Sequence, residues 1–316
     1  MTHRIKKLLE QAEAVSKDDK KDSTIKGYVS DFNSFKVWCK SEKVKALPAT
    51  EETVMAYFFW MATEGKYAHG TIEHHRNAIN HYHIEKNHPT PVRSAKVNGL
   101  LAGLKKTYGK PPNKKHPLTW EEIKSIVDCI DQDTLKGCRD KAIILIGYAG
   151  GLRVSEISTL KKADIQLTGG LSLRLQDTKT DKTGDGQIVN IASHKERDYC
   201  PLIALLQWLE TSKIKEGYIF RGMKPATRGY ILKKEPYASA SIRNMLKGYA
   251  AETGLDPRTI GGHSLRRGVA TTAINKGADI YHISKHLRHK DVKTTEGYCD
   301  FQVGHSQHNP FNNAAM

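Results

Sequence analysis

Residues 150–157 read GGLRVSEI, which puts an arginine at the start of a helix-like stretch and a carboxylate, Glu156, three residues after Arg153. On a surface such an i,i+3 pair is ordinary and worth about 0.2–0.5 kcal/mol. The same pair could instead be a guanidinium fork aimed at a phosphate and held in plane by its carboxylate neighbour. A second group, Lys179 and Lys182, lies in LQDTKTDKTGDG near the tip of a candidate hairpin, where solvated lysines are common. A third runs from GGHSLRRGVA at 261–270 through HISKHLRHKDVKTTEGYCD and offers His263, Arg266, His289 and Tyr298. Each has a bland alternative: a capping histidine, a helix-surface arginine, a histidine facing a helix C-terminus, a core tyrosine. Arg266 and Arg267 stand at i+3 and i+4 from His263 on one helical face, so the local pattern does not choose between them.

The order of the set narrows the reading. An arginine, a hairpin lysine, H-x-x-R, a histidine 23 residues after that arginine and a tyrosine nine further on resemble the tyrosine recombinase (phage integrase) family. The resemblance covers nearly the whole chain: ALPATEETVMAYF, TIEHHRNAI and a basic helix ending in GLKKTYG are similar to the core-binding domain of the Cre-like branch. His289 is a tryptophan in Cre itself and a histidine in many relatives, so the fit is to the wider family. The family spacing selects Arg266 as a phosphate clamp and leaves Arg267 as a structural or DNA-backbone contact.

The resemblance implies a site-specific recombinase that breaks and rejoins DNA through a 3′-phosphotyrosine and a Holliday junction, with neither metal nor ATP and no cofactor. Tyr298 would be the nucleophile, conserving bond energy in a covalent phosphate ester. A free tyrosine has a pKa of about 10, so cations must favour its ionised form. Arg153, supported by Glu156, and Arg266 would clamp the nonbridging oxygens where charge concentrates in the transition state. His263 and His289 would bond the same phosphate or take the tyrosine proton, with their division of roles open. DTKTD is similar to the strand-end motif that bears the general acid, which makes Lys179 the choice and Lys182 its rival. Partners would be duplex DNA with inverted half-sites, a homodimer on each site and a homotetramer in the synapse. The tail CDFQVGHSQHNPFNNAAM after Tyr298 has little helical periodicity; Val303 and Phe311 could anchor it in a neighbouring protomer. Two other readings share these residues: a type IB topoisomerase that nicks and reseals one strand, and a catalytically silent DNA-binding protein of recombinase descent.

Bulk properties agree with a nucleic-acid partner. The 316-residue chain carries a formal charge of +16, spread as +9 over residues 1–115 and +7 over the rest, so no single tail explains it. From Lys86 to Trp120 there are eight Lys/Arg and no acidic residue, a run expected either in solvent or against a polyanion. Lys105, Lys106, Lys110, Lys114 and Lys115 of that run, with Arg76 and Arg267, are the candidate DNA contacts. No stretch nears the roughly 18 apolar residues of a membrane span, and the N-terminus lacks a signal-peptide core. The expectation is a soluble protein without membrane partners, cytoplasmic in a bacterial or viral setting and nuclear in a eukaryotic one. Five scattered cysteines without CxxC suggest reduced thiols.

The elements that must position these residues are mainly helical. Residues 23–43 repeat Ile25, Tyr28, Phe32, Phe35 and Trp38 at three- and four-residue steps, with Ser23 as a cap. Helical patterns follow at 51–65, 70–86 and 93–107. The histidines at 74, 75, 81 and 83 lack metal-ligand spacing. Residues 108–118, YGKPPNKKHPL, read as an extended basic linker. Thr119 and Glu122 make a capping box, and helical patterns continue to about 150, then at 154–161, 200–212, 238–254, 264–276 and 279–287. Two alternating runs, LSLRLQDTKT and DGQIVNIAS, predict one hairpin. The expected architecture is mainly α with a small antiparallel sheet: a helical core-binding, SAM-like domain over 1–107, the linker over 108–118 and a catalytic domain over 119–316.

Overall fold

A computed structural model describes residues 2, 4–8, 11, 22–111, 114–167, 170–176, 186–227 and 229–298. The chain divides into two compact units, residues 1–113 and 114–316. Lys179, Lys182, Val303 and Phe311 lie outside the described residues.

Among the described residues, the core of the first unit is built by the helices α1 (Asp22–Ser41), α2 (Glu51–Thr63), α3 (His69–Glu85) and α4 (Ala95–Tyr108), and residues 4–8 are also helical. The apolar repeat of α1 buries Phe32, Phe35 and Cys39 against Tyr57, Phe58 and Met61 of α2 and Ile72 and Ile79 of α3. The side chain of Ser23, the expected cap of α1, lies outside the described residues. Thr50 and Ser94 cap α2 and α4 by accepting the amides of Thr53 and Val97. Buried His75 and His83 of α3 serve this core. His75 pairs through Nδ1 with the Tyr57 hydroxyl at 3.0 Å, and His81 and Glu85 are 3.5 Å apart one turn on. His83, 0% exposed, accepts the Ala49 amide on Nε2 at 2.9 Å and presents Nδ1 to the Ile79 carbonyl at 2.8 Å. That geometry requires a neutral ring with its proton on Nδ1.

The second unit follows as α5 (Trp120–Asp128), α6 (Leu135–Ala149), α7 (Val154–Thr159), β1 (Ile165–Gln166), β2 (Leu171–Leu175), β3 (Gln187–Ile191), α8 (Pro201–Ser212), β4 (Arg221–Pro225), β5 (Tyr230–Pro236), α9 (Ser239–Glu252), α10 (Ser264–Asn275), α11 (Ile280–Leu287) and α12 (Val292–Glu296). Thr119 and Glu122 close the capping box read from the sequence, with Thr119 N donating to Glu122 Oε2 at 2.7 Å and Glu122 N to Thr119 Oγ1 at 3.4 Å. Helix α6 is buried along almost its whole length and packs on α8. Leu171, Leu173 and Leu175 alternate inward from β2 and meet Val189 and Ile191 of β3 in the core.

The structure corrects the sequence expectation in three places. The predicted hairpin is the β2–β3 pair of a three-stranded antiparallel sheet in which β1 pairs with the other edge of β2. A second sheet, β4–β5, forms from residues 221–236; two prolines, two glycines and a bulge hid its alternation. The helix expected over 154–161 stops at Thr159, and Lys161 instead forms an isolated bridge with Tyr218. Segment 114–118 is hydrogen-bonded into the second unit: His116 N donates to Thr259 O at 2.9 Å and Leu118 N to Ser264 O at 3.1 Å. Helix α10 can lie that close because of Gly268, where an added Cβ would stand 1.8 Å from the Leu118 carbonyl oxygen.

Two outcomes follow. Gly268→Ala forces backbone apart rather than a flexible side chain, so thermal denaturation should show a loss of about 2–4 kcal/mol. Burial lowers the His83 pKa, only partly opposed by the Ile79 carbonyl. Its contribution is therefore complete above the unfolded value of about 6.5 and lost as pH falls below it. His83→Gln, which keeps a neutral acceptor, should flatten the acid limb of a melting temperature against pH curve for the first unit.

Candidate active site

Four elements of the second unit converge on one cluster. Arg153 is the N-cap of α7, so Glu156 stands at the third helical position and its carboxylate folds back over the helix start. Glu156 Oε2 accepts the Arg153 amide at 2.8 Å and Oε1 accepts Arg153 Nη1 at 2.6 Å. The sequence offered this pair as either a surface contact or a held fork; Glu156 is only 8% exposed, so the pair is not a solvent-exposed surface contact.

Arg288 completes the arrangement and was missed in the sequence. It occupies the left-handed position that ends α11, with φ +59°, and its Nη2 donates to Glu156 Oε2 at 2.9 Å. Its Nη1 donates to the Gly150 and His286 carbonyls, both at 3.2 Å, and Nη2 reaches Gly151 O at 3.4 Å. No local spacing could reveal a partner 132 residues away, and an arginine where glycine or asparagine usually ends a helix gives no helix-end signal.

Arg266 is 0% exposed. It donates Nη1 to the Gly151 carbonyl at 2.6 Å and Nη2 to the Leu287 carbonyl, while its guanidinium carbon stands 6.0 Å from the Tyr298 ring centre. Burial first, then Arg153 and Arg288, push its pKa down to about 9, which leaves it cationic at neutral pH. Three guanidinium groups thus cluster here, and two of them, those of Arg153 and Arg288, bond one carboxylate. Burial favours the protonated Glu156, but Arg288 and the amide and guanidinium of Arg153 outweigh it and hold its pKa below the ordinary value. The Nε atoms of Arg266 and Arg288 are buried without a hydrogen-bond partner among the described residues.

Beside these cations the Tyr298 hydroxyl lies 3.1 Å from His263 Nδ1. His289 stacks edge-on to the same tyrosine, ring centres 4.9 Å apart, and is oriented by Thr295, whose Oγ1 lies 2.8 Å from His289 Nδ1. Thr295 also ties the tyrosine backbone, its carbonyl accepting Tyr298 N at 2.9 Å. Burial, then Arg266, Arg153, Arg288 and His263, lower the His289 pKa to about 4.

Of the predicted set, Arg153, Glu156, His263, Arg266, His289 and Tyr298 therefore meet in one place, and the hairpin lysines lie outside the described residues. Arg267 points elsewhere: it is buried, donating to the Lys115 carbonyl and from Nε to the Tyr298 carbonyl at 3.4 Å. Lys105, Lys106, Lys110 and Lys114 are exposed. Lys115 Nζ donates to Arg258 O at 2.8 Å, and Arg76 bonds Glu73, Asn98 and the Val92 carbonyl within its own unit.

The phage integrase family matches residues 116–305, and its N-terminal SAM-like domain matches residues 8–84. An integrase/recombinase xerD homolog of Selenomonas ruminantium is 32% identical over 285 residues, covering 89% of this chain and 82% of the relative. Tyrosine recombinase XerD of Rickettsia conorii is 28% identical, covering 90% of each. The fold is also that of a lambda integrase dimer bound to a COC′ core site, with TM-score 0.60 at 18% identity over 92% of this chain and 76% of that one. A Tn1549 transposon integrase in complex with transposon right end DNA gives TM-score 0.60 at 15% identity over 97% and 98%. A two-unit, mainly helical fold with clustered arginines, histidines and a tyrosine defines the class. The chain belongs to the phage integrase family and is a tyrosine recombinase.

With a pKa near 4, His289 is neutral across the physiological range, and whatever it contributes to stability is present above about pH 6.5 and lost as pH falls towards 4. In NMR titration its ring signals should stay at the neutral position down to about pH 5. Thr295→Val, which removes the hydroxyl that orients the ring, should broaden those signals and slow any reaction that uses the imidazole.

Proposed function

We propose that the protein performs site-specific recombination by attack of Tyr298 on a DNA phosphodiester. The observation that carries this reading is the placement of the Tyr298 hydroxyl on His263 beside three guanidinium groups, of which those of Arg153 and Arg288 share the Glu156 carboxylate and that of Arg266 faces the Tyr298 ring. A buried excess of positive charge next to a nucleophile suits an anionic ligand whose charge grows during reaction. Arg153 and Arg266 would bind the nonbridging oxygens of the scissile phosphate. His263 would take the phenolic proton as the Tyr298 Oη–P bond forms, and His289, neutral, would donate a hydrogen bond to the same phosphate.

As that bond forms, the bond from phosphorus to the 5′-oxygen breaks, and the leaving oxygen takes a proton from Lys179, or from Lys182 as its rival. Phosphate stays esterified to the enzyme, so rejoining needs no nucleotide hydrolysis and the chemistry requires no metal. A freed 5′-hydroxyl attacking a partner's phosphotyrosine would exchange strands through a Holliday junction. Two protomers on inverted half-sites and two such dimers in synapsis supply the four nucleophiles. The exposed lysines at 105, 106, 110 and 114, with Lys115, would contact the DNA backbone. Arg76 and Arg267, engaged within the protein, are weaker candidates for that role.

A duplex nicked next to the cleavage site should trap a covalent adduct on denaturing gels; Tyr298→Phe should form none, and an adduct from that variant would sink the assignment. Arg153→Ala and Arg266→Ala should each slow cleavage by about 10²–10³-fold while leaving DNA affinity within a few-fold. Relaxation of supercoils without strand exchange would point to the topoisomerase reading instead. Affinity should fall with salt at a slope of about −0.9 per phosphate neutralised, and replacing Lys105 and Lys106 by alanine should flatten that slope at equal cleavage chemistry.

A further inference from the structure

We infer that Arg288 is a positioning residue of this active site, holding the Glu156 carboxylate at Oε2 while the Arg153 guanidinium holds Oε1, and so setting the plane in which Arg153 meets the scissile phosphate. The inference rests on the reading of the cluster as a phosphoryl-transfer site and deepens it.

Geometry carries the argument. Glu156 Oε2 receives both the Arg153 amide at 2.8 Å and Arg288 Nη2 at 2.9 Å, while Oε1 receives Arg153 Nη1 at 2.6 Å. With Oε2 held from two sides, the carboxylate has one orientation, and Arg153, bonded to the other oxygen, inherits it. Arg288 is itself fixed, its side chain 6% exposed and its donors spread over the carbonyls of Gly150, Gly151 and His286. Its Nε remains buried without a partner among the described residues, as does that of Arg266. Those two guanidinium groups also meet at one acceptor, Gly151 O, whose residue adopts φ +53°. Arg288 therefore joins the end of α11, the start of α7 and the clamp on α10 through a single planar group.

The backbone at 288 makes the test clean. At φ +59° a glycine is at least as comfortable as an arginine, so Arg288→Gly removes the side chain without straining the turn. The parent, Arg288→Gly and Arg288→Lys would be compared in single-turnover cleavage of a nicked duplex from pH 5 to 9, with melting temperature and DNA affinity measured in parallel.

The glycine variant should bind DNA as the parent does and cleave about 10- to 100-fold more slowly, the scale expected when a reacting group is left misaligned. The groups facing His289 are Arg266, Arg153, Arg288, His263 and Tyr298. Losing one of these cations should move the acid limb of the rate profile to higher pH. Lysine should restore that limb, since it returns the charge, but recover the rate only in part, since it cannot bridge carboxylate and carbonyls in one plane. Parental cleavage by Arg288→Gly, or a rate loss that tracks a loss of folding with the pH profile unmoved, would overturn the inference. A parent that forms no adduct would instead remove the phosphoryl-transfer reading on which it stands.

Discussion

One buried carboxylate organises the second unit. Glu156 stands among three guanidinium groups, and taking so many charges out of water is unfavourable unless nearly every donor finds an acceptor. The fold supplies those acceptors from its backbone: the carbonyls of Gly150 and Gly151 at the end of α6 and those of His286 and Leu287 at the end of α11. Helix C-termini carry unpaired carbonyls and partial negative charge, so arginines reaching into two of them gain more than on an open surface. The apolar residues beneath do the complementary task. Leu287 is buried against Ala270 and Ile283, with Tyr298 packed on the same cluster, so the helix that offers its carbonyl to Arg266 is anchored by the Tyr298 ring.

How much of this was legible in the sequence depends on whether a partner was near along the chain. The Thr119–Glu122 box and the α1 repeat are local patterns, and both produced the elements they promised to within a residue or two. The Arg153–Glu156 pair was visible as a pair, but not its burial, since i,i+3 spacing is the same on a surface and in a site. Arg266 was separable from Arg267 only through the family spacing. The structure gives a physical reason for the difference: neighbouring side chains on α10 diverge, one towards the Gly151 and Leu287 carbonyls and the other towards those of Lys115 and Tyr298. Arg288 was not legible, because its partners all come from loops and helix ends brought near by tertiary folding. The β4–β5 sheet stayed hidden for another reason: exposed on both faces for much of its length, it needs no apolar alternation.

The histidines teach the same lesson from the opposite side. Those of α3 looked as chemically suggestive as His263 and His289, yet His83 and His75 spend both ring nitrogens on the packing of their own unit. What separates the two groups is what lies across from the ring: in α3 a main-chain amide, carbonyl or buried hydroxyl, and in the second unit a tyrosine beside an excess of cations.

The contact of Arg267 has a mechanical consequence. One guanidinium grips the carbonyl of residue 298 and the carbonyl of residue 115, so the peptide of Tyr298 is moored to the segment by which the chain enters the unit. The phenol can swing about its side-chain torsions while its main chain stays berthed. In the proposed reaction, a tyrosine joined to a DNA strand would feel tension along its own backbone as that strand is pulled towards a partner, and this mooring would take up the load before α12 does.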